Sequence, residues 1–288
     1  YILHVDGTCE GGSPHLISAL DGITEIVLDN IKLPSENAGD LIPFLEAIKK
    51  AYGVPVAVVS DMGKGIVAAV KRVFKNVPHL LCHYHFLRDL GKDLFGEEND
   101  VIRKRLKSHG IQSLLGKRAR ELKKPVDATP KIVDGFAGMM GGGKELKDCF
   151  SEHMGLTTYL QVMWALDGKN QGQGRGFPFD QRYLVFYQRL VQLHDVLHKH
   201  FGAKRQGNQK EKRLYDKIYR DLLPVVKDSL LRKAAAGMEE KVNEFNRLRE
   251  AMRITLAESK LGLNDNGDSS NMKTIEKAVE KFLNQLRK

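Results

Sequence analysis

Two aspartates occupy positions where a protein chain can build a divalent-cation site. Asp6 ends a short apolar run at residues 1–6, and Asp61 ends a nearly continuous apolar run at 54–61. Both runs have the composition of β-strands, and a carboxylate at the end of such a strand projects from the edge of the sheet. On neighbouring strands the two carboxylates would offer the hard oxygen ligands that a pair of Mg²⁺ ions needs. The alternative is that each aspartate only starts a turn, as Asp6 followed by Gly7 can do.

The elements around these aspartates predict an α/β fold. Three antiparallel strands come first, with Asp21-Gly22 as a hairpin turn, over residues 1–6, 15–20 and 23–28. Helices and strands then alternate: helix 35–53, strand 54–61, helix 62–74, strand 79–82 and a helix from 83 onward. This order predicts a mixed sheet, in which an antiparallel three-strand meander is followed by parallel strands.

The rest of the chain predicts helices only. Helical patterns occupy residues 99–122 with a break at Gly110, 183–200, 211–231 with a kink at Pro224, 238–256 and 272–288, and a loop is predicted over 123–143. We therefore expect a catalytic core over residues 1–95 and a large all-α domain over 96–265. A C-terminal helix within 266–288 can lead back to the core.

The positive charge is concentrated in the helical part. The chain has a formal net charge of +10, yet residues 1–95 contain 9 basic and 11 acidic side chains. Residues 100–131 alone contain 10 basic and 3 acidic ones. This distribution predicts chemistry in the first part and binding of a polyanion such as DNA in the second, whereas a solvated Lys-rich surface is the alternative. The candidate DNA-binding residues are Arg103, Lys104, Arg105, Lys107, Lys117, Arg118, Arg120, Lys123 and Lys124.

The composition excludes several classes of protein. Hydrophobic residues at 42% and charged residues at 28% are typical of a folded globular chain. No apolar run approaches the roughly 18–20 residues of a membrane helix. Three cysteines cannot form a paired disulfide framework, which predicts a reducing, cytoplasmic location. Because the chain begins inside an apolar run without Met, we expect it to be part of a longer protein.

The motifs around the two aspartates resemble a known family. Asp6-Gly7-Thr8, then Ser60-Asp61 and then Cys82-His83-Tyr84-His85 resemble bacterial insertion-sequence transposases of the Asp-Asp-Glu class, of which the Mutator-like enzymes carry a Cys-x-x-His after the second Asp. The resemblance implies a ribonuclease-H-like core with a helical insertion. It also implies two Mg²⁺ (or Mn²⁺) ions, with Asp6 bridging both and Asp61 binding one. A nucleoid-associated homo-oligomer on paired DNA ends is a further implication.

Two parts of this pattern leave alternatives open. Cys82 and His85 are too few for a zinc site. The resemblance implies that they have a supporting role at the sheet edge. The alternative is a buried cysteine with a histidine at the start of a helix. The candidate third acid is Glu276, or Glu280 one turn later, which follow Ser269-Ser270-Asn271 in a loose version of the family motif. The alternative is that the third acid lies beyond residue 288. Glu276 would then belong to an ordinary amphipathic helix.

Other motifs predict less. Residues 138–144 have the spacing of a phosphate-binding loop, but Glu145 stands where Ser or Thr is required, so no nucleotide cofactor is expected. His194 and His198 lie on one helical face without a third metal ligand, which favours a solvated polar face. Five aromatics after residue 171 favour a helical core over base stacking: Phe177, Phe179, Tyr183, Phe186 and Tyr187.

The sequence therefore predicts a DNA transposase that cleaves and joins strands, with no membrane partner. One alternative is a metal-dependent nuclease of the same fold that never joins strands. The other is a non-catalytic, transposase-derived DNA-binding protein whose acids are relics. The intact pair of aspartates argues against the relic.

Overall fold

The structure, a computed structural model, describes residues 1–127, 154–172, 174–200, 209–252 and 272–286. The chain divides into two compact units, Tyr1–Leu90 and Gly91–Lys288. The boundary falls inside helix α3 (His83–Ser108), so no linker separates the units. The boundary predicted at 95–96 coincides instead with a kink in α3, where Phe95 leaves helical geometry at φ −138° and ψ 18°.

The first unit contains a mixed five-stranded sheet. Its strands are β1 (Ile2–Thr8), β2 (His15–Asp21), β3 (Val27–Leu33), β4 (Ala57–Ser60) and β5 (His79–Leu81), and their order in the sheet is β3-β2-β1-β4-β5. The pairs β1–β2 and β2–β3 are antiparallel, whereas β1–β4 and β4–β5 are parallel. The prediction of a mixed α/β sheet with a meander and parallel strands is confirmed.

The third strand begins later than the sequence pattern predicts. β3 starts at Val27 rather than at residue 23, because Asp21 holds the intervening residues in a turn. The carboxylate of Asp21 accepts from the backbone N–H of Ile23 at 3.0 Å and from the hydroxyl of Thr24 at 2.7 Å. These bonds lower the pKa of Asp21, and the bond from Ile23 has the largest effect. Ile23 and Ile26 are consequently exposed, although their apolar character suggested a strand.

Two helices cover one face of the sheet. Helix α1 (Ala38–Tyr52) begins at Asn37, whose side chain accepts from the backbone N–H of Asp40, and helix α2 (Lys64–Val73) packs against it. The sheet face beneath them is apolar because alternate strand residues point towards the helices. The buried core contains Leu3, Val5, Ile17, Ala19 and Val58 from the strands and Leu41, Leu45, Ile48, Ile66 and Val70 from the helices.

A close backbone approach fixes the position of α2. A Cβ atom on Gly65 would lie 1.8 Å from the carbonyl oxygen of Glu36, just before α1. We predict that Gly65→Ala lowers the free energy of unfolding of the first unit by about 1–3 kcal/mol, because the backbone itself must move. Denaturant unfolding of the full chain measures this change.

The matched control for Gly65→Ala is Gly12→Ala. No heavy atom lies within 4 Å of the Cβ position at Gly12. The control should therefore unfold like the parent chain. Equal effects of the two substitutions would contradict the proposed role of the contact between Gly65 and Glu36.

The described residues of the second unit form helices and connecting loops, without a strand. After α3 come α4 (Ile111–Asp127), α5 (Met154–Asp167), a 3₁₀ turn (Gly168–Asn170), α6 (Arg182–Lys199), α7 (Gln209–Val226), α8 (Ser229–Ala251) and α9 (Met272–Leu286). The predicted break at Gly110 is confirmed, with a φ of 59° that favours glycine. Helix α5 was not predicted, because its residues 154–158 are all buried and show no helical periodicity.

Aromatic side chains form part of the core of the second unit. Phe95 packs edge-to-face with Phe177 and with Phe245, at ring-centroid distances of 5.5 and 5.6 Å. Phe186 and Tyr187 are buried on α6. The interpretation that this aromatic cluster belongs to the core is confirmed for these residues.

One carboxylate connects the α3–α4 turn to the α7–α8 turn. Asp228, whose side chain is 3% exposed, accepts from Arg105 at 2.6 Å and from His109 at 2.7 Å. It also caps α8 by accepting from the backbone N–H of Leu231. Burial alone would raise the pKa of Asp228, but the bonds from His109, Leu231 and Arg105 outweigh it and hold the pKa at about 2.

We predict that Asp228→Asn lowers the free energy of unfolding by about 2 kcal/mol at neutral pH. The carboxylate pKa is depressed in the folded state, so its contribution is fully present well above its usual value of 3.8 and disappears as pH falls towards about 2. Urea unfolding of both proteins, followed by helical circular dichroism between neutral and acidic pH, measures the difference.

The control is Asp93→Asn, which neutralises an exposed aspartate of the same unit. It should leave stability unchanged at every pH. A stability difference for Asp228→Asn that does not shrink on acidification would contradict an ionic origin.

Candidate functional site

The strand register brings the two predicted aspartates to one edge of the sheet. β1 and β4 run parallel, and the last paired residues are Val5 and Ser60. Asp6 and Asp61 immediately follow this pair, so both lie at the same end of adjacent strands. Asp6 also remains paired on its other side, opposite Ser18 of β2. The two residues therefore follow neighbouring backbone positions, although 54 residues separate them in the sequence.

The Asp6 carboxylate is open to solvent. Its side chain is 62% exposed, and its Oδ1 accepts from the backbone N–H of Gly7 at 3.0 Å. The Nε2 atom of His85 lies 3.6 Å from the same oxygen. Both contacts fall on Oδ1, which leaves Oδ2 without a partner among the described residues and able to bind a ligand.

Asp61 is held at the start of α2. Its Oδ1 accepts from the backbone N–H of Gly63 at 2.9 Å, which turns the chain from β4 into the helix. This bond is the turn-forming role that the sequence offered as an alternative. The two roles are compatible, because a carboxylate has a second oxygen available for a cation.

The Cys-x-x-His segment lies beside the two aspartates. The backbone N–H of Cys82 donates to the carbonyl of Ser60 at 2.7 Å, and this bond extends the pairing of β4 with β5. Helix α3 begins at the next residue and carries His85 to Asp6. The imidazole of His85 is only 13% exposed, and its buried Nδ1 has no hydrogen-bond partner within the described part of the chain. The sulfur of Cys82 is free and half-buried.

A part-buried chain of hydrogen bonds holds the backbone carbonyl of Asp61. The hydroxyl of Ser60, which is buried, donates to the carbonyl of Asp61 at 2.9 Å. The ring Nε2 of His79 lies 2.8 Å from the same hydroxyl, so the Nε2–H tautomer donates to it. Burial, and secondly Lys71, lower the pKa of His79, which favours the neutral ring. Sequence reasoning missed this pair, although Ser60 and His79 are polar residues in otherwise apolar strands.

We predict that His79 makes the stability of the first unit pH-dependent. Because its pKa is lowered in the folded state, the unfolded chain binds its proton more readily, and stability falls as pH drops below 6.5. His79→Gln keeps an N–H donor but does not titrate, so it should remove this component of the pH dependence. Denaturant unfolding across mildly acidic and neutral pH measures it.

The control is His83→Gln, which removes a solvent-exposed histidine at the start of α3. It should leave the pH dependence as it is in the parent chain. An unchanged pH profile in His79→Gln would contradict a neutral His79 in the fold.

The donor set suits a hard divalent cation, although it is small. Asp6 and Asp61 supply carboxylate oxygens at one exposed edge, which is the chemistry that Mg²⁺ or Mn²⁺ prefers. Among the described residues, no group of three or more His, Cys, Asp and Glu side chains is arranged to hold a metal ion. To hold a cation, these two carboxylates would need further oxygen ligands from substrate or water. Glu276 is exposed on α9 in the second unit, and its role as third acid stays a prediction.

The predicted DNA-binding side chains fall into two groups. Seven are exposed on α3 and α4: Arg103, Lys104, Lys107, Lys117, Arg120, Lys123 and Lys124. Arg105 is instead bound to Asp228, and Arg118, 14% exposed, donates to Asp221 at 2.8 Å and to Glu121. Arg105 and Arg118 therefore have carboxylate partners within the chain that balance their charge. Contact with DNA stays a prediction for all nine basic residues.

The sequence predicted that His194 and His198 lie on a solvated polar face of α6. The structure contradicts this prediction for His194. His194 is only 12% exposed and stacks on Tyr219 of α7 at a centroid distance of 5.0 Å. His198 is exposed, and its Nδ1 lies 3.0 Å from the Tyr219 hydroxyl. The correction has a simple cause: α7 packs against α6 and covers one of the two rings. The candidate phosphate-binding loop at 138–144 lies outside the described residues.

A comparison with protein families finds a match for one part of this sequence. Residues 17–113 match the family model for the Mutator family of transposases. The match covers about a third of the chain and includes Asp61, Cys82 and His85, whereas Asp6 precedes it. It supports a DNA transposase in general, a class that binds DNA and cleaves and joins it. No curated protein matches the chain with significance.

The helices are also informative about membranes. Across the described ranges, none is both long and apolar enough to cross a lipid bilayer.

Proposed function

We propose that this chain is a DNA transposase of the Asp-Asp-Glu class that uses Asp6 and Asp61 to hold Mg²⁺. The observation that carries the proposal is the register of β1 and β4, which sets both aspartates directly after the paired residues Val5 and Ser60. The Mutator-family match over residues 17–113 supports the same class of reaction.

The sheet supports the proposal of a ribonuclease-H-like core. An antiparallel meander of three strands joined to two parallel strands, in the order β3-β2-β1-β4-β5, agrees with what the family resemblance implies. In such a core the acids belong at the end of the first strand and after the fourth. Asp6 lies in β1, two residues before its end at Thr8, and Asp61 directly follows β4.

The residues of the chain then have distinct roles in phosphoryl transfer. Asp6 and Asp61 hold the cation, and His85 contacts Oδ1 of Asp6, which leaves Oδ2 for a ligand. Ser60 and His79 fix the backbone of Asp61. When bound, Mg²⁺ supplies activation of a water or a DNA 3′-hydroxyl and stabilisation of the leaving oxygen. Glu276, or an acid outside this sequence, would complete the set.

The exposed cations of α3 and α4 fit the polyanionic substrate. A protein that neutralises DNA phosphates with Lys and Arg releases counterions, so its affinity falls steeply with salt. Assembly of several copies on paired DNA ends is part of the proposal, because joining two ends requires two active sites.

The proposal predicts that Asp6→Asn and Asp61→Asn each lower Mn²⁺- or Mg²⁺-dependent DNA cleavage by about 100-fold or more, because the amide cannot hold the cation. Nicking of a supercoiled plasmid measures cleavage. Joining of a pre-cleaved duplex with a 3′-hydroxyl to a target plasmid measures strand transfer, which a nuclease of the same fold would lack.

The matched control is Asp29→Asn, an exposed aspartate on strand β3 of the same sheet. It should cleave like the parent chain, and all three variants should retain DNA binding. Full activity in Asp6→Asn or Asp61→Asn would overturn the assignment of the metal site. Binding without cleavage under any divalent ion would favour the non-catalytic alternative.

A further inference from the structure

Several arginines in the second unit form ion pairs with carboxylates. Arg103 pairs with Asp100, Arg105 with Asp228 and Arg118 with Asp221. Arg120 and Lys169 are among the cations of this unit that have no carboxylate partner in the part of the chain that the structure describes. Two cations left without a counter-charge in one place indicate a site for an anion that is not part of the chain.

Arg120 and Lys169 line the same groove. The groove lies between the first half of α4 and the end of α5 with the 3₁₀ turn that follows, and has a volume of about 660 Å³. We call it the α4–α5 groove. Its polar lining consists of Gln112, Ser113, Arg120, Asp167, Lys169 and Asn170. This volume is in the range of ligand-binding pockets.

Lys169 is positioned rather than free in solvent. Its ammonium donates to the side-chain oxygen of Gln112 and lies over the rings of Tyr183 and Phe186, at 5.4 and 5.5 Å from their centroids. An ammonium has three N–H donors, and Gln112 takes one of them. Partial burial lowers the pKa of Lys169, so a bound anion would relieve the cost of keeping this charge half-buried.

The one carboxylate in the groove is already engaged. Oδ1 of Asp167 accepts from Asn170 at 3.2 Å, and Oδ2 accepts from Gln171. Arg189 lies 3.6 Å from the same Oδ2 and offsets its charge. The groove therefore presents a net positive charge to a ligand.

The groove continues along an exposed face of α4. Ser113, Lys117 and Arg120 are all exposed and share one helical face, because their spacing of four and then three residues returns to the same side. Lys117 adds a third cation beside the groove. A row of cations along a helix is suited to a repeating chain of phosphates rather than to one small anion.

We propose that the α4–α5 groove binds the sugar-phosphate backbone of DNA through Arg120 and Lys169. This inference rests on the proposed function, since it assigns a second contact to the same substrate, away from the aspartates. It differs from the general prediction of a basic surface, because it assigns binding to Lys169, which lies outside the basic segment at 100–131, and excludes Arg105 and Arg118.

The test uses the full chain and a short labelled DNA duplex without divalent metal. Binding is measured by fluorescence anisotropy between about 50 and 200 mM salt. Arg120→Gln with Lys169→Gln should bind more weakly and lower the slope of log Kd against log salt by nearly 2, about 0.9 for each lost phosphate contact. Arg120→Gln alone, at an exposed position, should lower it by about 0.9.

The matched control is Arg213→Gln with Lys217→Gln, which removes the same charge from exposed positions of α7 in the same unit. It should leave the slope unchanged. An equal loss in both double variants would show a general effect of net charge and overturn the groove. A slope unchanged in both groove variants would overturn it as well.

The outcomes separate this inference from the proposed function. Normal DNA binding in both groove variants, with cleavage that depends on Asp6, overturns the groove alone. A lower slope in the groove variants, with no metal-dependent cleavage by the parent chain, supports the groove and overturns the transposase. Absence of DNA binding by the parent chain overturns both.

Discussion

The parallel pairing of β1 with β4 determines where both aspartates lie. Its register ends at Val5 and Ser60, so a shift by one residue would turn one carboxylate to the opposite face of the sheet. The register is set by burial, because Leu3, Val5 and Val58 point into the core beneath α1 and α2. The positions of the two aspartates are therefore set by apolar packing and not by contacts between the aspartates themselves.

The supporting bonds follow from the same pairing. Ser60 is buried at the last position of β4, where its hydroxyl reaches the Asp61 carbonyl and meets the ring of His79 from β5. The backbone of Cys82 then bonds to Ser60 and starts α3, which brings His85 to Asp6. Three strands and one helix thus converge on a few residues, and each converging element contributes one polar group to the edge.

The sequence predicted those parts of the fold that a local pattern encodes. The alternation of strands and helices and the break at Gly110 follow from period and from turn residues, as does the position of Asp61 directly after β4, whereas β1 continues past Asp6 to Thr8. The start of β3, helix α5 and the pairs Ser60–His79 and Arg105–Asp228 do not, because tertiary partners decide them. Asp21 holds apolar residues in a turn and Asp228 binds Arg105, and neither effect has a signature in the local sequence.

The distribution of carboxylates is therefore more informative than the count of basic residues. In the second unit, Asp228 and Asp221 bind arginines that stabilise helix contacts, and such partly buried pairs cannot also serve a polyanion without exposing a charge. Arg120 and Lys169 carry the same charge without that constraint within the described residues. A cation is free to bind phosphate only where the fold does not already use it, so net charge alone overestimates a DNA-binding surface.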